Sequence, residues 1–181
     1  MGDDENPDSA SRPVSALDRI TAAEYEALRQ LTRGLRRRRA AGDDEPGTES
    51  LVHEVYVRLK SAGNESWNDR THFLAVAALQ VRHLLVDHAR AVHATKRGGH
   101  HVRVSLDDEA GATREPVVDV LVVDEALRAL ARENARQHQV AELRLFGGLS
   151  VEEIGAFLKV SPRTVKEDWR LARAWLARHI R

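Results

Sequence analysis

The stretch that decides the fold runs from Leu145 to Leu176 and reads LFGGLSVEEIGAFLKVSPRTVKEDWRLARAWL. Ser150 and Glu153 have the S-x-x-E spacing of a capping box, in which each side chain satisfies an orphan backbone N–H at a helix start. Leu149 and Ile154 occupy the flanking positions of a hydrophobic staple. The same signal then recurs: Ser161 is a second N-cap, Pro162 suits the first helical position, and Val160 with Val165 makes a second staple. Two helices around a very short turn are therefore expected. The first turns Val151, Ile154 and Leu158 inward, and Gly155 admits a close neighbour. The second, from Pro162 to about His179, buries Val165, Ala172 and Leu176 and leaves Arg163, Lys166, Glu167 and Arg170 outward near its start. This is a helix-turn-helix pattern, in which the start of the second helix reaches base edges in the major groove and basic side chains neutralise phosphates. An ordinary helical hairpin with a solvated basic face shares the spacing. Two caps, a short turn and a local charge excess together favour DNA binding over that reading.

Charge is distributed to match. The chain carries 28 basic and 28 acidic side chains, so net charge gives no warrant for a nucleic-acid partner. From Lys159 to Arg181, however, Lys159, Arg163, Lys166, Arg170, Arg173, Arg178 and Arg181 oppose only Glu167 and Asp168. Between Ser105 and Glu125 the balance is reversed, with Asp107, Asp108, Glu109, Glu115, Asp119, Asp124 and Glu125 facing Arg114.

Towards the N-terminus the periodicity stays helical. Tyr25, Leu28, Leu31 and Leu35 form a stripe between Glu24 and Arg39, and Val52, Val55, Tyr56 and Leu59 form another between Glu49 and Ser61. The longest periodic stretch, about Thr71 to Arg97, buries Phe73, Ala77, Val81, Leu84 and Leu85 and stops at Gly98-Gly99. Residues 1–15 are polar and Pro-containing, too poor in apolar surface to order a chain. Residues 101–118 have linker composition. Periodicity resumes near Val120 and runs through Leu127, Leu130, Val140, Leu143 and Leu145 to Gly147-Gly148. No segment alternates long enough to argue a sheet. The expected fold class is all-α: a leader (1–15), a helical domain (16–100), a flexible linker (101–118) and a second helical domain (119–181).

At these residues the sequence resembles the extracytoplasmic-function (ECF) sigma factors of the sigma-70 type. LRLFGGLSVEEIGAFLKVSPRTVKEDWRLARAWL is similar to their region 4, LVHEVYVRL to region 2.2, and THFLAVAALQVRHLLVDHARAVHATKRGG to regions 2.3 and 2.4. The resemblance implies a transcription initiation factor that joins core RNA polymerase and directs it to promoter DNA. By position it places Glu54 on the polymerase-docking helix, whose apolar stripe leaves Glu54 and Arg58 for polar contact, and Gln80, His83, Arg90, Lys96 and Arg97 toward the minus-ten element. It places Arg163, Lys166, Glu167, Arg170 and Arg173 on the helix that binds the minus-thirty-five element. An anti-sigma factor or other regulator is an implied further partner. Where the family usually has Asp-Pro before the penultimate helix, this chain has Glu133-Asn134, and its first helix is short.

Other chemistries find little support. Cysteine is absent, which removes disulfides, a thiolate nucleophile and Cys-containing zinc sites. His100-His101 and Asp107-Asp108-Glu109 lack metal-ligand spacing and are read as solvated. No catalytic constellation stands out, so no enzyme, cofactor or metal is expected. The run Arg36 to Arg39 is either a nucleic-acid contact or a charged helix end favoured by the negative dipole there. Trp169 and Trp175 are expected in the core. With no apolar run of membrane length and an acidic N-terminus, no membrane insertion is expected and the chain is placed in the cytoplasm. Two rivals remain: a helix-turn-helix regulator acting without polymerase, and a degenerate sigma-like interaction protein.

Overall fold

A computed structural model describes residues 22–38, 48–61, 69–95, 103–105 and 117–180. In chain order these form α1 (Ala22–Arg38), α2 (Thr48–Ser61), α3 (Arg70–Thr95), β1 (Arg103–Ser105), β2 (Val117–Asp119), α4 (Val120–Glu133), α5 (Ala135–Leu145), α6 (Val151–Leu158) and α7 (Pro162–His179). The leader 1–15, most of the linker, Arg39, Lys96, Arg97, His100-His101 and Asp107 to Glu109 lie outside the described residues.

The first three helices pack together through the stripes expected of them, with Leu28, Leu51, Val52, Val55, Leu59, Phe73, Ala77, Val81 and Leu85 all buried. Burial of that apolar area is the main favourable term, worth about 1.5–3 kcal/mol for each large side chain. The central element is α3, which is apolar on two sides. Phe73, Ala77, Val81 and Leu84 share the side turned to α1 and α2. Ala75, Ala78, Arg82, Val86 and Ala89 recur at helical spacing on another side, and they too are buried. That second side packs on α4, α5 and α6, so the buried residues of both halves form one continuous cluster.

Two departures from expectation have local causes. The helical stretch from Val120 to Leu145 is broken at Asn134, whose extended backbone (φ −150°, ψ 97°) ends α4 and whose side chain accepts from the Gln137 N–H at 3.0 Å to cap α5. A hydrophobic stripe continues through such a break unchanged, so periodicity alone passes over it. The second departure is a small antiparallel ribbon, in which Arg103, Val104 and Ser105 pair with Asp119, Val118 and Val117. Three-residue strands are too short to show a period of two. The ribbon joins the two ends of the linker, and Asp119 Oδ1 then accepts from Leu121 N at 2.8 Å to start α4.

Candidate nucleic-acid interface

Sequence chemistry fixes the geometry of α6, the turn and α7. Ser150 Oγ accepts from Glu153 N at 3.1 Å while Glu153 Oε2 accepts from Ser150 N at 2.8 Å, completing the capping box. Lys159 ends α6 in the left-handed region (φ 56°, ψ 43°), and the Val160 N–H closes the turn on Gly155 O at 3.0 Å. A side chain at Gly155 would meet Val160 O at 2.9 Å, so only glycine allows this approach without displacement. Ser161 Oγ accepts from Thr164 N at 3.1 Å, and Pro162 opens α7.

The inward residues of α7, Val165, Ala172 and Leu176, are fully buried against the scaffold. Trp169 is buried as expected, whereas Trp175 is half-buried, with its Nε1 donating to Glu133 at 2.9 Å and its ring stacked on His179. Arg163, Lys166, Glu167 and Arg170 are exposed on the opposite face. They are not equivalent. Arg170 grips Glu167 in a two-pronged pair, Nε to Oε2 at 3.0 Å and Nη2 to Oε1 at 2.6 Å. That hydrogen bond holds the Glu167 carboxyl below the usual carboxylate range and raises the Arg170 guanidinium further. Arg173 is half-buried, its guanidinium 5.9 Å from the centre of the Trp169 ring, with Arg144 at the same distance from that ring.

On α3, Gln80, His83 and Arg90 lie along one stripe, Gln80 half-buried and the other two exposed. Asp87 sits within that stripe, a residue the sequence reading passed over although its i, i+3, i+7 spacing places it there. Arg58 of α2 donates from Nη1 to Asp87 Oδ2 at 2.9 Å, and its Nη2 lies 3.7 Å from Glu54 Oε1. The two candidate docking residues are thus joined to the candidate minus-ten face.

The sequence reading also missed the group behind that stripe. Arg82 is buried, and its guanidinium donates to Asp124 Oδ1 from Nε at 3.0 Å and from Nη2 at 2.8 Å. Its Nη1 donates to Glu142 Oε1 and lies 3.3 Å from His138 Nε2. Burial pushes His138 below the ordinary imidazole value; Glu142 opposes this and Arg82 adds to it. An arginine amid Ala75, Ala78, Val86 and Ala89 was the available signal.

A family model described as ECF sigma factor matches residues 13–181, which takes in every described helix. The chain belongs to the ECF sigma factor family. ECF sigma factors are transcription initiation factors rather than enzymes, and their partners are RNA polymerase and promoter DNA. Searches of curated proteins and of solved structures return no match. In this ECF sigma factor, the side chain of Asn134 caps the start of α5. Among the described residues no helix is long and apolar enough to cross a membrane.

Proposed function

We propose that the chain binds core RNA polymerase and directs it to specific promoters, with α7 reading the upstream element. The observation that carries this reading is the exposed stripe of Arg163, Lys166 and Arg170 at the capped start of α7. A stripe so placed fits the major groove, where an arginine or lysine on guanine discriminates by about 1–3 kcal/mol per base pair. Gln80, His83 and Arg90, with Lys96 and Arg97 following in sequence, are assigned to the minus-ten element. Glu54 and Arg58 are assigned to polymerase docking. The two halves, 16–100 and 119–181, are assigned to the downstream and upstream elements, joined by 101–118.

The test is run-off transcription with purified core polymerase, accompanied by holoenzyme binding to matched and scrambled upstream elements. Lys166→Ala is expected to weaken matched binding and to relax preference at one base position if Lys166 reads guanine. It weakens all sequences alike, with a shallower salt dependence, if it contacts phosphate. Failure of the chain to support initiation with any core polymerase, together with specific DNA binding on its own, would replace this reading with that of a polymerase-independent regulator.

A further inference from the structure

We infer, resting on the proposed function, that Arg170 reads a guanine of the upstream element with the outer edge of its guanidinium, and that Glu167 is the positioning residue that aims it. A guanidinium carries five N–H donors in one plane. Nε–H and one Nη2–H point from its side, and the other Nη2–H lies parallel to an Nη1–H at its outer end. Glu167 takes the side edge, where Arg170 donates from Nε to Oε2 at 3.0 Å and from Nη2 to Oε1 at 2.6 Å. That grip leaves the outer edge its two parallel donors. In the major groove guanine shows two acceptors, O6 and N7, which such a fork matches. Adenine sets an amino donor beside N7, cytosine shows an amino donor, and thymine has one acceptor beside its methyl group. The fork is therefore satisfied in full by guanine alone.

The scaffold fixes the direction in which the pair faces. Residues three apart on a helix are neighbours, so Glu167 meets Arg170 without distortion of α7. Both are exposed on the face that carries Arg163 and Lys166. On the opposite side Val165, Ala172 and Leu176 are buried, and Asp168, next to Glu167, is held by Arg136 of α5. The rotation of α7 about its axis is thus set. An arginine side chain free in water samples many rotamers, and placing it on one base forfeits them. Two hydrogen bonds to Glu167 restrict that freedom before DNA arrives. With side chains 66% and 55% exposed, Arg170 and Glu167 add little to fold stability as a pair. Their pairing acts instead on where the guanidinium points.

Charge sharpens the choice. The Glu167 carboxylate offsets the Arg170 charge, so the pair gains little from phosphates, which every sequence offers. Its gain comes from the base edge. Without Glu167 the fork can turn to a nearby phosphate, a contact that carries no sequence information.

The test uses duplexes with randomised promoter elements, selected by holoenzyme formed on purified core polymerase and then sequenced. Wild type is expected to enrich guanine at one upstream position that Arg170→Ala no longer distinguishes, a loss of about tenfold in preference there. Arg170→Lys keeps the charge without the fork and should lose the same preference, while mismatched duplexes bind as before. Glu167→Ala should relax that same position, through tighter binding of mismatched duplexes rather than weaker binding of the matched one. Glu167→Gln, which retains one acceptor for the guanidinium, should recover part of the preference. Equal weakening of all sequences in Arg170→Ala would make Arg170 a phosphate contact. Relaxation at different positions in Arg170→Ala and Glu167→Ala would make Glu167 a separate reader. Either result overturns the inference, as does guanine preference retained by Arg170→Ala or Arg170→Lys. A parallel selection with the chain alone keeps the two claims apart. Selection by the chain alone, with none by holoenzyme, overturns the proposed function, and the same variants on those duplexes still decide the fork. No selection in either arm overturns both.

Discussion

Arg136 on α5 reaches the carboxylate of Asp168 on α7, with Nε 2.6 Å from Oδ2 and Nη2 3.2 Å from Oδ1. Asp168 is buried and immediately follows the exposed Glu167, so one carboxylate anchors the helix while its neighbour faces outward. The hydrogen bond to Asp168, reinforced by its charge, raises the Arg136 guanidinium above its ordinary value. Loss of Arg136 would leave a desolvated carboxylate without its partner. Arg136→Ala is expected to lower Tm, and adding Asp168→Asn to restore part of it. Thermal melts of the single and double variants check this; equal Tm for wild type and Arg136→Ala would show the pair to be incidental.

Gly155 is expected to tolerate no side chain. Alanine in a helix gains about 1 kcal/mol over glycine, but overpacking costs about 1–3 kcal/mol. Here the obstacle is the backbone carbonyl of Val160, which cannot swing aside without opening the turn into α7. Gly155→Ala should therefore be destabilising on balance by about 1 kcal/mol, a Tm loss of roughly 2–4 °C for a chain of this size. A Tm equal to or above wild type would mean that the turn yields freely.

Acidification should act through His138. Its folded-state pKa is lowered, so the unfolded chain binds the proton more readily than the native one. The sign follows: the contribution is fully present above the ordinary imidazole value of about 6.5 and is lost as pH falls below it, levelling off beneath the depressed native value. A protonated His138 would also face the Arg82 guanidinium at 3.3 Å. Between pH 7.5 and 5.5, wild type should lose more Tm than His138→Gln. Parallel curves would remove His138 from the pH response.

Glu167 should restrain Arg170 on DNA as it does in the free chain. Glu167→Ala releases a guanidinium fork and removes a negative charge from the proposed reading face. Binding of holoenzyme to scrambled upstream sequences should rise, and the slope of log K against log salt should steepen by about one unit if the released fork takes up a phosphate. Anisotropy titrations across a salt series measure both. A loss of affinity confined to one base position would identify Glu167 as a reader itself, since a carboxylate accepts from the cytosine amino group.

Elements held by local chemistry were legible in the sequence. Ser150, Glu153, Ser161 and Pro162 mark where α6 and α7 begin because capping involves neighbours three residues apart, and the structure starts both helices there. The inward and outward sides of α7 followed from spacing. What lay hidden depended on partners distant in sequence: Arg82 finds Asp124 and Glu142, and Arg136 finds Asp168, only after the helices have packed. An isolated Asp124 or Asp168 looks like any surface acid. The break at Asn134 was missed for another reason, because the apolar stripe runs on across it.

The second apolar side of α3 also bears on how the chain is made. Synthesis proceeds from the N-terminus, so α3 leaves the ribosome before α4, α5 and α6 exist to cover it. Around Arg82 that side consists largely of Ala75, Ala78 and Ala89, with Val86 as the larger residue. Methyl-sized groups leave about 0.8 kcal/mol each exposed to water, far less than leucines or phenylalanines would. A half-finished chain thus presents a face with little tendency to aggregate while the rest of the protein is still being translated.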